Sequence, residues 1–287
     1  MYKYKKGRTM APDINAAKEY LLKNIGFNGK FDKYSTAYVV TNEDIRSAMK
    51  FMPKVTENAL TVTGSGDHPM FMKIYGAKNI DTFDLSYNAK LIMDIKTAAL
   101  PVLKHTEYYN FLKAVYFAED LLSVENMPKI IEKLPYEEKA YIAAMRNCRL
   151  FNHGLNPDSY LGTNKPVPYL TEFQKMREVI TEPFNFIWSD IASLHEKLDK
   201  TYDFMHLSNI IDYIKEPDGL KILASLMKYT HVGSVIYFET FHYCYLPEHL
   251  FMDPNHCRFM INKNQIWAYK RVRQNQGEDI HAMQRLR

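Results

Sequence analysis

Apolar positions along this chain follow two rhythms. Leu60–Val62, Ile80–Phe83, Phe184–Trp188, Tyr202–Leu207 and Gly233–Glu239 are short, nearly continuous apolar runs, the pattern of strands buried on both faces. Between and around them, Pro69–Tyr75, Asn88–Leu100, Ile191–Leu198 and Leu220–Lys228 repeat apolar residues at helical spacing. Strands alternating with helices predict an α/β chain with a mostly parallel sheet. Near the C-terminus, Cys257–Ile261 and Gln265–Arg271 flank Asn262-Lys263-Asn264, which predicts a hairpin and one antiparallel strand.

Two other regions break this alternation. Asp13 is placed to cap a helix over Ile14–Asn24 that ends at Gly26, and Thr41 with Asp44 resembles a capping box for a helix running to Met52. From His105 to Ile180 the chain reads as successive amphipathic helices, with a Gly-, Asn- and Pro-rich loop at Asn152–Pro168. The expected organisation is an N-terminal helical lid over 1–57 and a core formed by 58–104 and 181–275. A helical insertion at 105–180 shapes the substrate pocket, and 276–287 is a basic tail. No internal repeat is visible.

The strand ends carry the candidate chemistry. Gly64-Ser65-Gly66 follows the first strand and Asp84 ends the second, about 20 residues beyond the loop, the spacing at which an acid reaches a ribose. A dinucleotide loop needs a third glycine and a site for pyrophosphate. Here Asp67, His68 and Pro69 follow Gly66, and Asp67 repels phosphate. A nucleoside ligand with positive charge and no phosphate fits better, and S-adenosylmethionine has those features. On this reading Asp84 accepts the ribose hydroxyls and Asp190 the adenine amine. Leu85 and Ile191 follow these acids in the ligand-facing turns, and Tyr38, with Tyr34, covers the adenine. His206, Ser208 and Asn209 face the sulfonium and the acceptor, with His206 as base or acceptor-orienting residue. Plainer readings stand beside these. Asp190 also suits the cap of Ile191–Leu198, and Ser208 and Asn209 suit the cap of Ile210–Ile214. His206 also suits a core histidine, the tyrosines suit core contacts, and His242, His249 and His256 suit a surface loop.

Composition narrows the classes. The net charge of +4 is too small to imply a nucleic-acid partner. Basic residues nevertheless crowd both ends, at Lys3, Lys5, Lys6 and Arg8 and at Lys270, Arg271, Arg273, Arg285 and Arg287. Such clusters suit solvated tails or peripheral contact with a phosphate-bearing surface. Cys148, Cys244 and Cys257 are scattered without a CxxC pair, as expected for reduced cytosolic thiols, and no compact Cys/His set suggests a metal. The N-terminal segment has no apolar signal core and no run is long enough to span a bilayer, so a cytoplasmic location is expected.

Val62–His68 (VTGSGDH), Asp81–Leu100, Ser189–Leu194 (SDIASL) and Tyr202–Ile214 (YDFMHLSNIIDYI) carry a resemblance. Their order resembles Rossmann-like, class I methyltransferase-type S-adenosylmethionine-dependent transferases. It is most similar to the betaine-lipid synthase type, the S-adenosylmethionine:diacylglycerol 3-amino-3-carboxypropyl transferases. In ordinary methyltransferases the first strand ends in an acid and a third glycine follows. Here Val62 and His68 hold those places. The resemblance implies that Gly64, Gly66, Asp67, Asp84 and Asp190 contact the cofactor. It also implies transfer of an aminocarboxypropyl group to a hydroxyl acceptor such as a diacylglycerol-like lipid, with Asp67 holding the cofactor's amino group. A methyltransferase acting on a small molecule or polymer is the alternative, and a cofactor-binding scaffold without catalysis is another.

Overall fold

The computed structural model describes residues 11–24, 31–151, 168–214, 218–240, 257–262, 265–273 and 279–286. The strands are β1 (Asn58–Val62), β2 (Asn79–Asp84), β3 (Asn185–Trp188), β4 (Tyr202–His206), β5 (Thr230–Thr240), β6 (Cys257–Asn262), β7 (Gln265–Arg273) and β8 (Asp279–Leu286). The helices are α1 (Ile14–Lys23), α2 (Ile45–Met49), α3 (Asp67–Ile74), α4 (Tyr87–Ala99), α5 (His105–Phe117), α6 (Met127–Ile131), α7 (Tyr136–Ala144), α8 (Leu170–Val179) and α9 (Asp218–Met227). Strand order in the sheet is β3-β2-β1-β4-β5-β6-β7-β8. The first five strands in that order are parallel. Thus the α/β class and the parallel sheet expected from the sequence are the ones observed.

The order reverses between β1 and β4, which pair in parallel with Leu60 opposite Met205 and Thr61 opposite His206. In open α/β sheets, ligands bind outside the carboxyl ends of the strands at such a reversal. The C-terminal part departs from expectation. The hairpin forms, with Phe259 opposite Ala268, but β8 extends it, with Tyr269 opposite Met283. A three-stranded antiparallel meander therefore stands where a two-stranded hairpin was expected, and the expected basic tail contains β8.

The chain packs as two compact units, one of residues Met1–Arg46, Thr63–Tyr75 and Thr82–Asp190, the other of Ser47–Val62, Gly76–Asp81 and Ile191–Arg287. Most of the expected N-terminal segment and all of the expected insertion contribute to the first unit. Its centre is α4, all of whose residues are buried. Ser86 starts this helix by accepting the Asn88 N–H. Arg46 forks onto Glu172 of α8, with its Nε 2.8 Å from Oε1, and lies 4.1 Å over the Tyr169 ring. In the second unit, Asp203 of β4 accepts the N–H groups of Glu57 and Asn58 at 2.8 and 2.9 Å, fixing the start of β1.

Three predicted helices are corrected. The segment Ile191–Leu198 forms only a 3-10 turn at Leu194–Glu196, and Ile210–Ile214 only one at Ile210–Tyr213. The helix expected from Thr41 to Met52 shortens to α2; Thr41 Oγ1 accepts the Glu43 N–H at 3.2 Å, but the Thr41 N–H that a capping box would give to Asp44 goes to Asp67. Lys3, Lys5, Lys6, Arg8, Gly26, Cys244, His242, His249, His256, Lys263, Asn264 and nearly all of the loop Asn152–Pro168 lie outside the described residues.

Candidate functional site

The glycine loop and the acidic end of β2 form one hydrogen-bonded assembly in the first unit. Gly64 and Gly66 have φ of 52° and 80°, left-handed values that suit glycine. A Cβ on Gly66 would stand 2.7 Å from Met93 Cα, so this glycine also permits the loop to pack against α4. The Gly66 N–H donates to Thr63 O at 2.7 Å, closing the turn. The Gly64 N–H donates to Asp84 Oδ2 at 3.0 Å, and the Ser86 N–H to Asp84 Oδ1 at 2.9 Å. Burial pushes the Asp84 carboxyl up to about 6, against the pull of N–H groups from Ser86, Gly64 and Leu85. Its carboxylate keeps lone pairs beyond those two bonds, which suits it to accept the hydroxyls of a diol.

The turn after Asp84 is held from the β3 side. Trp188 Nε1 donates to Leu85 O at 2.7 Å, and the Ser189 N–H to Asp84 O at 3.0 Å. The indole packs edge-on against Tyr34 and lies 5.4 Å from the Tyr87 ring. A strap of residues 33–41 is fastened over the same region. Ser86 Oγ donates to Ser35 O at 2.6 Å, and Asn88 Nδ2 to Tyr34 O and Ser35 O at 3.0 and 3.1 Å.

Asp67 is not a ligand-facing acid. It is 3% exposed. Its Oδ1 takes Lys96 Nζ at 2.5 Å, and its Oδ2 takes the Thr41 N–H at 2.9 Å and Ser65 Oγ at 2.7 Å. The expectation that Asp67 grips a cofactor's amino group is therefore corrected, because its acceptors are engaged inside the protein. Ser65, expected with Gly64 and Gly66 among the cofactor-binding residues, is corrected for the same reason, its buried hydroxyl donating to Asp67. The electrostatic objection to phosphate also goes, since Lys96 neutralises Asp67. What disfavours a phosphate here is geometric: the Gly64 and Gly66 N–H groups are already donated to Asp84 and Thr63.

The other candidates divide by place. Leu85 and Tyr38 are half-buried in the first unit, and Asp190 is exposed there. With no helix at Ile191–Leu198, Asp190 caps none. Ile191, His206, Ser208 and Asn209 belong to the second unit. Ile191 is buried. His206 is fully buried in β4 and stacks on the Tyr237 ring at 5.0 Å. Ser208 adopts φ 55°, a left-handed conformation uncommon for serine, just beyond β4, and its hydroxyl donates to Asn209 Oδ1 at 3.3 Å.

Sequence reading missed Lys96, Ser86, Asn88 and Trp188. A signal for Lys96 existed: it interrupts a helix whose neighbours Ile95, Ala98 and Ala99 are core residues. A lysine there needs a buried partner.

No family model matches the sequence, and no curated protein matches it. Among solved structures the chain is similar to the glycopeptide N-methyltransferase MtfA complexed with S-adenosylmethionine, at 9% identity and TM-score 0.35, over 91% of this chain and 72% of that one. A S-adenosylmethionine-dependent methyltransferase from Clostridium acetobutylicum ATCC 824 matches at 10% identity and TM-score 0.34, over 85% and 74%. The N-methyltransferase NodS from Bradyrhizobium japonicum WM9, in complex with S-adenosylhomocysteine, matches at 8% identity and TM-score 0.35, over 79% and 74%. Function resides in the site, not in the fold.

Proposed function

We propose that this chain is an S-adenosylmethionine-dependent transferase, and that the group it moves is methyl. One observation carries the reading: a glycine loop after β1 donates the Gly64 N–H to Asp84, the acid ending β2. A carboxylate held at a strand end suits ribose hydroxyls, and a loop free of side chains at Gly64 and Gly66 lets a ligand approach the backbone. When bound, S-adenosylmethionine supplies an electrophilic carbon on a sulfonium. The protein's part is to hold the nucleoside at Asp84, to orient the displacement, and to keep the loop fixed while it occurs.

Methyl is read first; S-adenosylmethionine carries the same amino group in both transfers, so the internal engagement of Asp67 bears on both alike and the nucleoside product separates them. The acceptor is read as a small molecule, with a lipid hydroxyl the other class to assay.

The test is calorimetric titration of S-adenosylmethionine and S-adenosylhomocysteine into wild type and Asp84→Ala, followed by mass identification of the nucleoside product in turnover. Binding that Asp84→Ala weakens at least tenfold supports the reading. Absence of binding by the wild type, or equal binding by both proteins, overturns it. S-adenosylhomocysteine as product identifies methyl transfer, whereas methylthioadenosine would replace methyl by the aminocarboxypropyl group.

A further inference from the structure

We propose that Lys96 is a positioning residue of the nucleoside site, fixing the binding geometry of the glycine loop from beneath; this rests on the loop being that site. Lys96 is 0% exposed and sits on α4. Its three ammonium protons have three acceptors: Val39 O at 2.7 Å, Ser65 O at 3.0 Å and Asp67 Oδ1 at 2.5 Å. Asp67 passes the restraint on through Thr41 N–H and Ser65 Oγ. One cation thus ties together the strap at residues 39 and 41 and the loop on both sides of Gly66.

Stability alone does not call for this arrangement. A buried ion pair is often matched or bettered by apolar residues of similar size. What apolar residues cannot do is hold two carbonyls and a carboxylate at fixed directions around one point. The loop needs that service, since its two left-handed glycines have a wider conformational choice than residues with a side chain. If Gly64 turns, its N–H leaves Asp84, and the acid loses the bond that aims it.

The experiment compares wild type, Lys96→Met and Lys96→Met/Asp67→Leu, with S-adenosylhomocysteine as the titrated probe and Tm measured in parallel. The single variant strands a buried carboxylate and should lose both Tm and affinity. The double variant removes the charge pair as a whole. Its Tm should return toward wild type while its Kd stays weaker by tenfold or more. A purely structural pair would restore both together, and a double variant binding within twofold of wild type overturns the proposal. Should the double variant not fold, Ser65→Ala removes one bond of the network and leaves the charges in place. Its Kd should weaken about tenfold, the worth of one hydrogen bond to a charged group, and unchanged binding overturns the proposal. Failure of wild type to bind the probe brings down the nucleoside reading itself, an outcome distinct from a tolerant variant.

Discussion

Asp84 accepts the N–H of Gly64 at 3.0 Å. The bond joins two features that lie apart in the sequence, a glycine turn after one strand and an acid at the end of the next. It makes the loop's shape and the acid's direction a single variable. A change on either side reaches the other without crossing solvent.

Ligand affinity should depend on pH through this acid. The folded carboxyl is raised from an ordinary 3.8 to about 6, chiefly by burial. Ribose hydroxyls donate to the ionised form. Kd for S-adenosylhomocysteine should therefore be flat above pH 7 and weaken as pH falls through about 6, approaching tenfold per pH unit. In the ligand-free protein the sign is opposite for stability. The raised group contributes fully below its unfolded value, and that contribution is lost as pH rises through about 6. Asp84→Asn should abolish the slope in Kd and cost about 1.5–3 kcal/mol of binding. Calorimetry from pH 5 to 8 checks both.

Gly66→Ala should damage folding as well as binding. The left-handed backbone alone costs about 1–3 kcal/mol for a residue with a Cβ, and that atom would press on Met93 of α4. At Gly64 the added Cβ meets His68 Nδ1 at an ordinary 3.7 Å, so Gly64→Ala carries the backbone cost alone. Urea denaturation of the two variants should rank Gly66→Ala as the less stable.

Stability should fall with rising pH through Glu138. Lys90 of α4 pairs with Asp94 at 2.6 Å and also contacts Glu138 of α7, all three being buried. Burial, reinforced by Asp94, raises the Glu138 carboxyl well above the usual range despite Lys90. Tyr87 and Glu137 are the other ionisable groups of this surrounding. A raised carboxyl stabilises the fold below its unfolded value, and this is lost as pH rises through the folded one. Glu138→Gln, which mimics the protonated acid, should show a flatter Tm profile across that window than wild type. Parallel profiles for the two proteins would show that Glu138 is not the titrating group.

Trp188 should report ligand. It is one of two tryptophans, and its indole donates to the residue following Asp84. S-adenosylhomocysteine should change the emission of wild type and leave that of Trp188→Phe nearly unchanged. The variant should lose about 1–3 kcal/mol of stability by stranding the Leu85 carbonyl.

The parts legible in sequence are those set by local backbone chemistry. Consecutive apolar runs gave the parallel strands, Gly64 and Gly66 marked the turn, and spacing placed Asp84. Where the outcome depends on a distant partner, composition was silent. Asp67 read as a free charge because nothing local reveals that Lys96, 29 residues on, sits beneath it. Ile191, Leu194 and Leu198 fit a helical period and are all buried, yet only a 3-10 turn forms, so their spacing reported burial without the helix. The end of an apolar run marks His206, but only the structure shows its stack on Tyr237. Charge alone marks Asp279–Leu286 as a tail, whereas its register with β7 makes it a strand.

Asn88 carries a consequence for how the first unit comes apart. Its Nδ2 holds the carbonyls of Tyr34 and Ser35, while its Oδ1 takes the Tyr141 hydroxyl at 3.1 Å. One carboxamide on α4 thus has a fixed orientation because two other segments, the strap and α7, read its two ends. The strap, α4 and α7 are expected to open together, as one cooperative block in hydrogen exchange. The depth at which α7 sits is then tied, through Asn88, to the aim of the strap that borders Asp84.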